Sequence, residues 1–172
     1  RDVGVLSLIY GRGDGTFETP PVGLAAGRRP LAVSISDVDN DGRLDLLTAN
    51  EDTAGLVLLR ATGPRSYAAP VTMTAGRVPA ALVLRDINND GVRDVMVADR
   101  TDDRFVLRLG GRTTSPFFSS VVQTCPEVNC LESGRTPIGV VGADFDADGS
   151  YDMASVNDGG ANVAVAMSEL SS

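Results

Sequence analysis

Apolar positions along this chain come in short runs of about four to six residues, separated by clusters of Gly, Pro, Asn and Asp. The runs are rich in Val, Leu and Ala, and none forms a convincing amphipathic helix. Runs of this length and composition, bounded by turn formers, predict β-strands. Val5–Tyr10, Leu46–Asn50, Leu56–Leu59, Val95–Asp99, Phe105–Leu109, Met153–Asn157 and Val163–Met167 are such runs. None is long enough to cross a bilayer as a helix.

The pattern is periodic. Gly27-Arg28-Arg29-Pro30 leads into Asp37-Val38-Asp39-Asn40-Asp41-Gly42-Arg43-Leu44-Asp45. Gly76-Arg77-Val78-Pro79 leads into Asp86-Ile87-Asn88-Asn89-Asp90-Gly91-Val92-Arg93-Asp94, and Gly134-Arg135-Thr136-Pro137 into Asp144-Phe145-Asp146-Ala147-Asp148-Gly149-Ser150-Tyr151-Asp152. The Pro precedes the first Asp by seven residues each time, and the loops start at 37, 86 and 144, steps of 49 and 58. After each loop an apolar run ends in Asn50, Asp99 or Asn157, and an aromatic recurs at Phe17, Tyr67 and Phe117.

About four short strands in a repeat of about 50 residues is the signature of a propeller blade. One blade cannot bury both of its faces, so blades stack. The expected fold is all-β: blades of about four antiparallel strands, roughly three to three and a half of them, forming part of one β-propeller domain over 1–172. Residues 1–26 read as the second half of a blade, 27–75 as a blade, 76–133 as a blade carrying an insertion at 119–133, and 134–172 as most of a blade. A chain that opens inside a blade is expected to belong to a longer protein; copies that complete one another's ring are the alternative.

In each loop, carboxylate or amide oxygens stand at positions 1, 3, 5 and 9, and Gly at position 6 permits a sharp turn. A spacing of two lets alternate side chains of a tightly curled loop converge, and position 7 can add a backbone carbonyl. An all-oxygen shell suits a hard ion of about six to eight ligands, calcium rather than magnesium. An EF-hand needs Glu at position 12 and flanking helices; position 12 here is Thr48, Val97 or Ser155, between strands. With Asn88 replacing a carboxylate, the second loop is expected to bind most weakly.

Charge supports this reading. The net charge is −8, and the loops hold 11 of the 23 acids. Crowding like charges is unfavourable without a counter-ion. The acidic balance also argues against nucleic acid. All 15 basic residues are Arg, and the chain has no His, which excludes a Ser-His-Asp triad and a His-ligated zinc site. Cys125 and Cys130 read as a local disulfide pinning the insertion, which favours an oxidising compartment; two free thiols are the alternative.

The loop, its Gly-x-x-Pro lead and Gly11-Arg12-Gly13-Asp14-Gly15-Thr16-Phe17 resemble the FG-GAP or VCBS repeat, the blade of the integrin alpha-subunit propeller and of many bacterial surface proteins. The resemblance covers nearly the whole chain. It implies a seven- or eight-bladed propeller with one calcium per loop-bearing blade, about three here. The implied ligands are Asp37, Asp39, Asp41 and Asp45; Asp86, Asn88, Asp90 and Asp94; and Asp144, Asp146, Asp148 and Asp152. Arg43, Val92 and Ser150 would add carbonyls.

Other candidates have plainer explanations. Arg12-Gly13-Asp14 spells a tripeptide that integrins recognise, but it sits in the family's own turn, with Phe17 expected to pack inward. Glu51-Asp52 and Asp102-Asp103 could serve as acid and base, yet read as solvated loop acids. Tyr67, Phe117 and Phe118 could stack on sugars, but recur with the repeat as packing residues. The expected function is a non-enzymatic, extracytoplasmic interaction scaffold for protein partners or other blades. A carbohydrate-binding lectin and an accessory domain of a secreted enzyme are the alternatives.

Overall fold

The computed structural model describes residues 4–52, 55–111, 118, 123–124 and 134–166. Among them there is no helix, and the sheets are antiparallel. Strands β1 (Val5–Leu8) and β2 (Val22–Ala25) pair as a two-stranded sheet. A four-stranded sheet follows, from β3 (Pro30–Ser36), β4 (Asp45–Asn50), β5 (Gly55–Leu59) and β8 (Val71–Thr74). A small hairpin, β6 (Ala61–Gly63) and β7 (Ser66–Tyr67), interrupts it.

The next sheet holds β9 (Pro79–Arg85), β10 (Asp94–Asp99), β11 (Arg104–Arg108) and β12 (Gln123–Thr124). β12 falls inside the segment expected to be an insertion, where it pairs with β11 as the fourth strand. The last sheet holds β13 (Pro137–Ala143), β14 (Asp152–Asn157) and β15 (Asn162–Ala166). These are propeller blades, and their first strands β3, β9 and β13 pack side by side. Cys125 and Cys130 lie outside the described residues.

Strand alternation explains how blades stack. In β10, Val95 and Val97 turn toward Leu47, Ala49, Leu56 and Leu58 of the preceding blade. Met96 and Ala98 turn the other way, into a second cluster with Phe105 and Met153. A middle strand covered on both faces is apolar throughout, which is why these runs read as continuous and not alternating.

The same parity explains what is exposed. Leu84 of β9 is 3% exposed, whereas Ile35, its counterpart in β3, is 57% exposed. β9 is flanked by β3 and β13; β3 has β9 on one side only among the described residues. Phe17, expected to pack inward, is 62% exposed. A buried counterpart is Phe118. Gly11 bridges to Phe17, Ala61 pairs with Tyr67 and Gly110 bridges to Phe118. Phe118 fills the cluster between the two four-stranded blades, while Phe117 lies outside the described residues.

The recurring Asn50, Asp99 and Asn157 also have a structural role. All three are buried, each beneath a glycine with positive φ: Gly27 (87°), Gly76 (94°) and Gly134 (76°). A Cβ on any of these glycines would run into the Asn or Asp side chain below it. Asp99 is compensated by backbone donors, accepting from the N–H groups of Arg77 (2.6 Å), Val78 (3.2 Å) and Thr101 (3.0 Å).

Candidate metal centres

Each nine-residue loop connects the first and second strands of its blade. The side chains at its odd positions do different work. Position 1 organises the turn: Asp37 accepts from the N–H groups of Asp41 (3.1 Å) and Gly42 (2.9 Å). Asp86 does the same for Asp90 and Gly91, and Asp144 for Asp148 and Gly149. Position 5 accepts from the N–H of position 7, at 2.8 Å for Asp41, 2.8 Å for Asp90 and 2.7 Å for Asp148. The loops are therefore curled by their own carboxylates.

Position 9 is a buried staple. Asp45, Asp94 and Asp152 are each about 1% exposed or less. Asp45 accepts from Val38 N–H (3.0 Å) at the start of the loop and from Ala61 N–H (2.8 Å) beyond β5. Asp94 accepts from Ile87 N–H (2.7 Å) and Gly110 N–H (2.7 Å), and Asp152 from Phe145 N–H (2.8 Å). Burial pushes the carboxyls of Asp45 and Asp94 above the ordinary aspartate range despite these bonds; nearby loop carboxylates add to the rise.

The backbone bears the cost of the tight curl at two places. Gly42, Gly91 and Gly149 at position 6 have φ of 84°, 83° and 91°. Position 4 is also left-handed, at Asn40 (57°), Asn89 (57°) and Ala147 (64°). Asn tolerates this region and Ala does not, so loop three holds a residue poorly suited to its conformation. The two Asn side chains also reach across blades: Asn40 donates to the carbonyl of Gly91 (3.0 Å) and Asn89 to that of Gly149 (3.4 Å).

Oxygens of Asp37, Asp39 and Asp45 lie within 4.8 Å of one another, and so do those of Asp144, Asp146 and Asp152. In loop two, Asn88 breaks the carboxylate triad: its amide donates to Asp90 Oδ2 (3.0 Å) and its carbonyl accepts from Asp90 N–H (3.2 Å). Oδ1 of Asp39 is buried and has no hydrogen-bond partner. A buried carboxylate oxygen without a donor, on a residue clustered with two more carboxylates, fits a cation. Calcium fits this donor set: hard oxygens, several of them charged, on a flexible loop. The residues that would hold it are Asp37, Asp39, Asp41 and Asp45, and their counterparts Asp86, Asn88, Asp90, Asp94 and Asp144, Asp146, Asp148, Asp152, with the carbonyls of Arg43, Val92 and Ser150. When bound, the ion supplies the charge that offsets the crowded carboxylates.

Loop one carries cations. Arg60 Nη1 lies 3.1 Å from Asp39 Oδ2, and Arg43 Nη1 lies 2.6 Å from Asp41 Oδ2. Sequence reasoning did not find Arg60, which stands 21 residues beyond Asp39.

The paired acids are engaged elsewhere. Glu51 pairs with Arg29 (2.8 Å), Asp52 with Arg28 (3.4 Å) and Asp102 with Arg104 (2.8 Å). Asp103 accepts from Thr136 N–H across a blade boundary (2.6 Å). Asp14 is used within its own turn, accepting from the N–H (2.9 Å) and hydroxyl (2.6 Å) of Thr16; these bonds lower its pKa.

Comparison with known families agrees with the loop frame. A model of the FG-GAP-like repeat matches residues 2–48 and again 37–97. The two matches overlap on loop one, the second also takes in loop two, and together they cover more than half of the chain. A search of curated proteins returns no match.

Proposed function

Because this chain belongs to the FG-GAP-like repeat family, we propose that it is a calcium-stabilised β-propeller module. It works outside the cytoplasm as a scaffold for protein partners or further blades, with no catalysis of its own. The observation that carries the calcium reading is the convergence of carboxylate oxygens of Asp37, Asp39 and Asp45, with Oδ1 of Asp39 buried and without a hydrogen-bond partner. Repeats of this family are typical of extracellular domains, where ambient calcium of about 10⁻³ M keeps even weak sites filled. No helix among the described residues is long and apolar enough to cross a membrane.

The docking part of the reading rests on the uncovered blade faces. Val33 and Ile35 on β3 and Val156 on β14 are exposed. The counterparts of Val33 and Ile35 in β9 are covered by neighbouring blades. Faces of this kind suit protein or another blade better than a small polar ligand.

Calorimetric titration with calcium, paired with thermal melts in calcium and in chelator, tests the proposal. About three ions should bind, and each site at ten times its Kd adds about 1.4 kcal/mol of stability. A melting temperature indifferent to calcium would sink the proposal.

A further inference from the structure

Loops one and three carry the same four aspartates in the same frame. They differ in what stands beside the aspartate at position 3. Asp39 shares its carboxylate: Oδ2 is held by Arg60 at 3.1 Å, Oδ1 is buried without a hydrogen-bond partner, and an oxygen of the same residue lies within 4.8 Å of oxygens of Asp37 and Asp45. Arg60 follows β5 directly, fifteen residues after Asp45. The same place in the other repeats belongs to Leu109 and Met167, which carry no charge.

We propose that Arg60 is a built-in counter-ion of the first loop, which lowers the loop's calcium affinity and makes its fold less dependent on calcium. The inference rests on the calcium reading of the loops. The physics runs through both states of the loop. Without an ion, Arg60 relieves repulsion among Asp37, Asp39, Asp41 and Asp45, so less energy is recovered when an ion arrives. With an ion bound, the guanidinium is a like charge a few ångströms away, only one-third exposed and so incompletely screened. Both effects weaken binding. Arg43 acts in the same direction but more feebly, because its side chain is about half exposed.

The test uses the repeat's own alternatives. In the full chain, with Asp90→Asn and Asp148→Asn silencing loops two and three, Arg60→Leu and Arg60→Met are titrated with calcium and melted in chelator. Both substitutions should tighten binding at loop one by about tenfold or more and lower the metal-free melting temperature. Arg43→Ser should produce a smaller change of the same sign. Adding Asp39→Asn to Arg60→Leu should restore the metal-free melting temperature, a readout that needs no bound ion. If the parent binds calcium and Arg60→Leu binds no more tightly, the inference is overturned and the calcium reading stands. If no loop of the unmodified chain binds calcium, both are overturned.

Discussion

The first and third loops are one design carried out under two electrostatic regimes. Asp37 and Asp39 are half-buried, and two arginines attend that loop. Asp144 and Asp146 are exposed, and among the described residues no ion pair to either is found. The turn-forming bonds of positions 1, 5 and 9 are nonetheless shared. The fold of the loop is thus set by side chain to backbone bonds, and its charge balance is set separately, by whatever stands next to it. A metal loop can be pre-shaped without being pre-neutralised.

The largest effect should come where the two loops are alike. Asp45→Ala leaves the buried N–H groups of Val38 and Ala61 without an acceptor, and Asp152→Ala does the same to Phe145 N–H. Each substitution should cost about 2–4 kcal/mol, measured by urea unfolding in chelator. A loss seen only in calcium would mean that position 9 is a ligand and nothing more, and the shared frame would dissolve.

An intermediate effect should come from exchanging position 4. Ala147→Asn places a residue tolerant of positive φ at 64° and should stabilise the chain by about 0.5–1 kcal/mol. Asn40→Ala should cost somewhat more, because it also removes the bond to Gly91. Paired melts of the two variants measure both, and shifts of equal size would show that the cross-blade bond contributes nothing.

The smallest effect is a pH dependence in loop one. The folded pKa of Asp45 is raised, first by burial and then by the charges of Asp39 and Asp41. The folded, metal-free chain therefore holds this proton to higher pH than the unfolded chain, whose aspartates titrate near about 3.9. Stability from this group is present below that value and falls as pH rises through the folded pKa. Asp39→Asn removes one of the raising charges, so the fall should shrink. In calcium the trend should reverse, because proton and ion compete for the same oxygens. Chemical denaturation between pH 4 and pH 7, with and without chelator, measures both slopes.

Much of this was legible in the sequence because the repeat displays it several times. Strand runs, loop frame and blade stacking follow from periodicity, since short apolar runs, a spacing of two within the loops and steps of 49 and 58 residues between them leave marks in one dimension. The rest depends on contacts that cross between elements. Ala61 meets Asp45 from sixteen residues away through its backbone, which has no residue signature. Asn50, Asp99 and Asn157 were visible as a beat, but not as what lies under a glycine. The bridge to Phe118 was not visible in the aromatic beat, because it spans two residues more than its counterparts at Phe17 and Tyr67. Arg60 was hidden because an arginine after a strand reads as an ordinary surface residue until its partner's other oxygen is found buried.

The bonds from Asn40 to Gly91 and from Asn89 to Gly149 also bear on how such an array can lengthen. Donor and acceptor lie two positions apart in the same loop, so one duplicated unit carries both halves of the link. A blade copied into the middle of the row would be tied on both sides with no further substitution. Copied behind loop three it would not be, because Ala147 has no amide to extend to it.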